Sequence, residues 1–281
     1  VFKNSNFIER SIMGALSFLK ESIFAEEYAS RSGLLQSLDP RIKTVTFLLF
    51  IIQIILTKSL FILLFLYALC LLLTFCSKIN LGFFLKRTWI FIPIFSFLIA
   101  IPALFNIVTP GEPLISFQVV GLKLSITRQG LLGATIFFVR VTTSVSFAVL
   151  LSVTTKHFEL LKVLRVFKIP QVFVMTIGIC YRYIYLFVEI IENIYVAIKS
   201  RVGTNVHYKR GQHIVAWNIA YLWNRSYQLN EAVYQAMLSR GYRGEPIVMD
   251  DFRTTVKDGL WIGFVVIISA LLIYFQYRLK G

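Results

Sequence analysis

Charge is scarce in these 281 residues: Asp, Glu, Lys and Arg together make 15% of the chain, where soluble domains carry about 25%. That excludes the pair of soluble domains which the length alone would allow. Cysteine is nearly absent. Cys70, Cys76 and Cys180 fall in or beside apolar runs with no CxxC or CxxH spacing, so a disulfide framework and a zinc site are excluded and the three are expected as buried small hydrophobes. The three histidines, His157, His207 and His213, never stand three or four apart from each other or from a carboxylate pair, which excludes a two-metal bundle and an HExxH hydrolase. No GxxxxGK[ST] phosphate loop occurs, so the chain lacks that device for gripping ATP. Acid is the scarcer sign, 14 residues against 29 basic. The paired acids Asp250 and Asp251 have no second acidic cluster to complete a magnesium–pyrophosphate site, and are taken as a solvated loop before a helix.

What is abundant is apolar surface. Hydrophobic residues make 57% of the chain and Phe alone numbers 26, more than a core of this size can bury on every side of its helices, so lipid is the solvent for much of the molecule. The formal charge of +15 suits a multispanning protein with basic loops facing the cytoplasm and anionic headgroups. Nucleic acid is not expected as a partner, because the basic residues sit at the ends of apolar segments rather than in an aromatic-interleaved patch.

The first residues mix Glu9, Glu21, Glu26 and Glu27 with Lys3, Arg10 and Lys20. They read as an amphipathic cytoplasmic helix, not a cleavable signal. Asp39 then stands at an N-cap, Pro40 at the first helical position and Arg41 beside them, directly before an apolar run: a helix entering the bilayer. One helix over 44–77 would be about 50 Å long, beyond a hydrocarbon core of about 30 Å, so Thr57-Lys58-Ser59 is expected to turn between two spans. A third span, kinked by Pro93 and Pro102, is expected over 89–108, a short hairpin or irregular excursion up to Arg128, a fourth span over 130–155 and a last one over 259–277.

The residues between the fourth and last spans differ in composition and are expected as helical but not spanning, one helix from Lys168-Ile169-Pro170 to Gly203 and another over 212–240 ending at Gly241. The fold expected is an all-α integral membrane protein of about five transmembrane helices. Its parts are an N-terminal segment (1–43), a four-span bundle (44–155), a cytoplasmic helical platform (156–257) and the last span (258–281). Of the 29 basic residues, 23 fall on one side of this arrangement, which sets the N-terminus and the platform in the cytoplasm and the C-terminus outside.

Two short motifs end the platform helices alike: Ser200-Arg201-Val202 and Ser239-Arg240-Gly241. An Arg in a last turn answers the helix dipole and a following Gly is an ordinary C-cap; equally, an Arg at a helix tip is a good plug for a groove on another protein. Arg140, inside the fourth span, either pairs structurally within the bundle or takes part in a conformational change.

The stretch from Ala236 to Gly244, A-M-L-S-R-G-Y-R-G, resembles the A-M-x-x-R-G-[YF]-x-G signature of the transmembrane T component of energy-coupling-factor (ECF) transporters. Gly33 to Lys43 resembles the family's L-D-P-R-x-K entry, with the G-L-L-Q lead of the CbiQ-like cobalt/nickel branch. Thr154-Thr155, Ile169-Pro170, Tyr181-Arg182-Tyr183 and Glu189 are similar too. The resemblance implies a non-catalytic importer subunit in the bacterial cell membrane. Two cytoplasmic ABC-type ATPase subunits would hydrolyse ATP with magnesium, and a separate substrate-binding membrane subunit (S-type) would carry the cobalt or nickel ion; this chain itself would bind no cofactor. By position, the family's two ATPase-docking motifs map onto Arg201 and Arg240, although Val202 stands where a small residue is more usual. The rival from another class, an intramembrane prenyl or phosphatidyl transferase, would need paired acidic motifs at a membrane face.

Overall fold

The computed structural model describes residues 28–31, 33–90, 92–102, 113–119, 122–202, 208–244 and 254–278. The amphipathic segment expected before residue 28, the loop around Gly111, Gly203 and the Asp250-Asp251 pair lie outside them. By packing, the described residues form two units, one within Leu161–Asp251 and one within Glu26–Leu160 together with Phe252–Gly281.

The second unit begins with a 3-10 turn, Leu35–Ser37, and then α1 (Pro40–Leu56) and α2 (Leu60–Cys76). The Asp39 side chain caps α1 by accepting from the Arg41 amide, with Pro40 in the first turn. Thr57 to Ser59 separates the two helices as their polarity predicts. Each is 17 residues, about 26 Å. The next span differs from expectation: α3 (Leu81–Trp89) and α4 (Ile92–Ala100) start it eight residues early. Asn80 is the reason, because its side chain caps the Gly82 amide, and Lys86 and Arg87 then fall in the last turn of a helix rather than in a loop. Pro93 sits in the first turn of α4, where it interrupts no hydrogen bond. Strands β1 (Pro113–Val119) and β2 (Leu122–Thr127) pair antiparallel as a hairpin and lead into α5 (Arg128–Thr154).

Helix α5 is the hub, packing against α1, α2, α3 and α4. Small residues let neighbours approach it closely. Thr142, Thr143 and Ser146 are buried, and each hydroxyl donates to the carbonyl four residues back, so these three hydroxyls need no partner from another helix. Around them Phe47, Phe50 and Phe147 pack ring to ring at 5.3–5.8 Å, and Leu63, Leu66 and Leu150 are fully buried. Cys70 lies in this core, but Cys76 and Cys180 are exposed, contrary to the expectation that all three are buried: each falls on an outward helix face.

The last span, α9 (Val256–Arg278), packs on α1 and runs parallel to it. Three contacts show the direction: Asp258 meets Asp39 at 2.8 Å, Trp261 meets Thr46 at 3.0 Å and Gln276 meets Leu56 at 3.1 Å.

After α6 (His157–Val166), in which the boundary between the units falls, the other unit contains α7 (Gln171–Val202) and α8 (Tyr208–Ser239), 32 residues each. Among the described residues, four stretches are long and apolar enough to cross a membrane: Leu81–Ala100, Arg128–Thr154, Val256–Arg278 and Gln171–Ile198. The fourth lies in α7, a helix expected not to span. Arg182, Glu189 and Glu192 are spaced widely enough to leave an apolar window in α7, of which only 11% is buried inside the protein. The chain is an all-α integral membrane protein, with one hairpin among the described residues.

Candidate functional site

The two tips are built alike. Ser200 Oγ donates to the Ala197 carbonyl and Ser239 Oγ to the Ala236 carbonyl, each at 2.9 Å. Both hydroxyls are thereby absorbed by their own helices, and the adjoining side chains, Arg201 and Arg240, are exposed. At the second tip the cap is complete: the Tyr242 amide donates to the Met237 carbonyl and the Gly241 amide to the Leu238 carbonyl, both at 3.0 Å. This is a Schellman closure, and Gly241 takes the left-handed φ of +82° that it requires. At the first tip α7 is described as far as Val202.

The motifs are not brought together. The Tyr242 hydroxyl lies 3.4 Å from Met175 Sδ, which sets the second tip beside the beginning of α7. Arg201 is at the other end of that helix, roughly 40 Å away at 1.5 Å per residue. Along α8, Trp217, Tyr221, Trp223, Tyr227 and Tyr234 are exposed.

In the other unit, the entry residues form a buried polar junction. Asp258, 1% exposed in the first turn of α9, accepts from the Asp39 amide through Oδ1 and from the Thr255 amide and hydroxyl through Oδ2. Lys43, also 1% exposed, donates to the Leu35 carbonyl at 2.9 Å and the Thr154 carbonyl at 3.0 Å. Gln36 Nε2 donates to the Ser77 carbonyl at 3.1 Å and the Tyr28 carbonyl at 3.3 Å. The beginnings of α1 and α9 and the ends of α2 and α5 are thus tied at one end of the bundle. Lys43, by sequence one more cytoplasmic base, is an internal cross-link. Asp258 is not legible in the sequence as a site residue; its one signal is a lone acid at the start of an apolar span.

Arg140 donates to the Thr57 carbonyl at 2.8 Å, at the turn between α1 and α2. It therefore lies near the far end of α1 rather than at mid-membrane, because α5 is 27 residues long and overshoots its 17-residue neighbours. Among the described residues, no three of His, Cys, Asp and Glu come together as a metal-ligand set.

Comparison with known proteins gives the chain its relatives. The family model CbiQ, described as a cobalt transport protein, matches residues 31–249. The uncharacterized protein MJ1571 of Methanocaldococcus jannaschii is 35% identical over 274 residues, which cover 97% of this chain and 93% of that protein. The uncharacterized protein MJ1089 of the same organism is 28% identical over 164 residues, 58% of this chain and 60% of that protein.

Proposed function

This chain belongs to the CbiQ cobalt transport protein family, and from that premise we propose that it is the transmembrane coupling subunit of an ECF-type importer for cobalt or nickel ions. Two separate cytoplasmic ATPase subunits hydrolyse ATP. This chain passes their movement to a separate substrate-binding membrane subunit.

The observation that carries the reading is the pair of like-built, exposed Arg tips at opposite ends of α7. A groove on one small domain does not extend over roughly 40 Å, whereas a pair of ATPase domains that opens and closes with nucleotide offers two grooves. Moving those grooves turns a stiff pair of helices as a lever. The exposed aromatics of α8 supply the face on which the substrate-binding subunit is held.

The reading requires α7 to lie along the cytoplasmic side. A single crossing by α7 would put Arg201 and Arg240 on opposite faces of the membrane. Because the second tip lies beside the beginning of α7, a crossing by α7 would require α8 to cross back, and α8 is not among the described stretches long and apolar enough to do so. The apolar window of α7 is then covered by the headgroup region and the substrate-binding subunit.

Arg201→Glu and Arg240→Glu test the assignment. Each places a carboxylate where a guanidinium is docked and should weaken ATPase association by about 2–5 kcal/mol, abolishing uptake while the bundle stays folded. Wild-type assembly, ATPase rate and uptake in both variants would make the two residues ordinary helix caps.

A further inference from the structure

A pocket of about 990 Å³ opens at the end of the bundle that holds the polar junction. Its walls are the end of α2, the beginning of α9 and the turn before α1, and its lining divides by chemistry. Lys78, Lys156 and Lys257, each exposed, contribute the charged part. The apolar part comes from Leu72, Leu260 and Phe264, which are 57%, 72% and 40% exposed. Arg31 and Glu159 also line it, so positive charge dominates. Trp261 forms part of the wall and is held there by its Nε1–H, which donates to Thr46 Oγ1 at 3.0 Å.

Cations beside apolar faces of two spans, at the level where those spans begin and end, match one ligand: an amphiphile with an anionic head and a hydrocarbon tail. A water-soluble anion would leave the leucine and phenylalanine faces uncovered. An apolar peptide would leave the lysines unmatched. We propose that the pocket binds an anionic phospholipid of the adjoining leaflet, its phosphate between Lys78, Lys156 and Lys257 and an acyl chain along Leu72, Leu260 and Phe264. The lipid would fill the gap between α2 and α9 beside the junction that ties the helix ends together. The site is independent of the coupling role, and its test reads binding, not transport.

Trp261 is the reporter. The full chain carrying Trp89→Phe, Trp217→Phe and Trp223→Phe is reconstituted in phosphatidylcholine vesicles with a minor fraction of phosphatidylglycerol, and one or the other lipid bears bromine on its acyl chains. The expected result is quenching of Trp261 by brominated phosphatidylglycerol at a bulk fraction at least about fivefold lower than brominated phosphatidylcholine needs, a ratio that one lysine at a membrane surface provides. Lys78→Gln, Lys156→Gln and Lys257→Gln together should bring that ratio to one while quenching by brominated phosphatidylcholine persists. If the triple variant does not fold, each single substitution should lower the ratio. Equal quenching by the two lipids, or a preference that survives the substitutions, overturns the proposal. Loss of the preference on adding inorganic phosphate would show a free-anion site instead, and no quenching by either lipid would show a pocket closed by another part of the chain.

Discussion

Asp258 uses both carboxylate oxygens on backbone donors, one of them the buried Asp39 amide more than two hundred residues away in sequence. Asp258→Ala leaves that amide without its partner, a loss of about 1–3 kcal/mol. Asp258→Asn keeps an acceptor and should fall between. Thermal unfolding of the purified protein, followed by tryptophan fluorescence, should rank wild type above Asn above Ala; an Ala variant as stable as wild type would show that the bond contributes nothing. Gly33 makes a different demand. A Cβ there would stand 2.7 Å from the Ser77 carbonyl oxygen and closer still to the Gln36 side chain, so Gly33→Ala must push the turn off the end of α2 and strain the Gln36 bond to Ser77. The same unfolding measurement should show a loss of about 1–3 kcal/mol, and an unchanged midpoint would mean that the turn yields freely.

At the scale of elements, the cap of α8 separates conformation from contact. Gly241 has open space around a would-be Cβ, so only its φ of +82° restricts substitution. Gly241→Asn, which tolerates the left-handed region, should keep the tip, and Gly241→Ala should cost about 1–2 kcal/mol locally and loosen Arg240. ATPase co-purification should therefore drop for Ala and hold for Asn; equal behaviour of the two would remove the cap from the account. Local signals of this kind are readable in the sequence. Asp39-Pro40 announces the start of α1, Thr57-Lys58-Ser59 the turn after it, and the position of Gly241 the end of α8, because caps and breakers act within a few residues of themselves. Asn80 acts equally locally, yet a span placed by charge alone begins only after Lys86 and Arg87 and so misses the true start of α3. The junction of Asp258, Lys43 and Gln36 is out of reach for another reason. Its partners are carbonyls and amides of distant segments, and a backbone group carries no sequence signature. Arg140 stands out as a charge in an apolar run, yet its depth depends on how far α5 overshoots α1, which only packing decides. For α7 composition does not decide between lying and crossing, because a helix that lies under a membrane subunit and one that crosses the bilayer both need an apolar face.

At the scale of the whole molecule, the two units differ in what they carry. A bundle centred on α5 is fastened at one end by buried polar groups. A pair of 32-residue helices carries the motifs. The central claim is that Arg201 and Arg240, at opposite ends of α7, engage two ATPase subunits from the same side of the membrane. One experiment reaches it directly. With Cys70, Cys76 and Cys180 replaced by Ala, Ser200→Cys and Ser239→Cys are introduced singly and together, derivatised with a photoactivatable crosslinker, and irradiated in the assembled transporter. The account predicts one ATPase adduct from each single variant and a species bearing two ATPase subunits from the double variant. Adducts from only one tip, with the other labelled by a membrane-impermeant reagent from outside the cell, would mean that α7 crosses the membrane and would contradict the account.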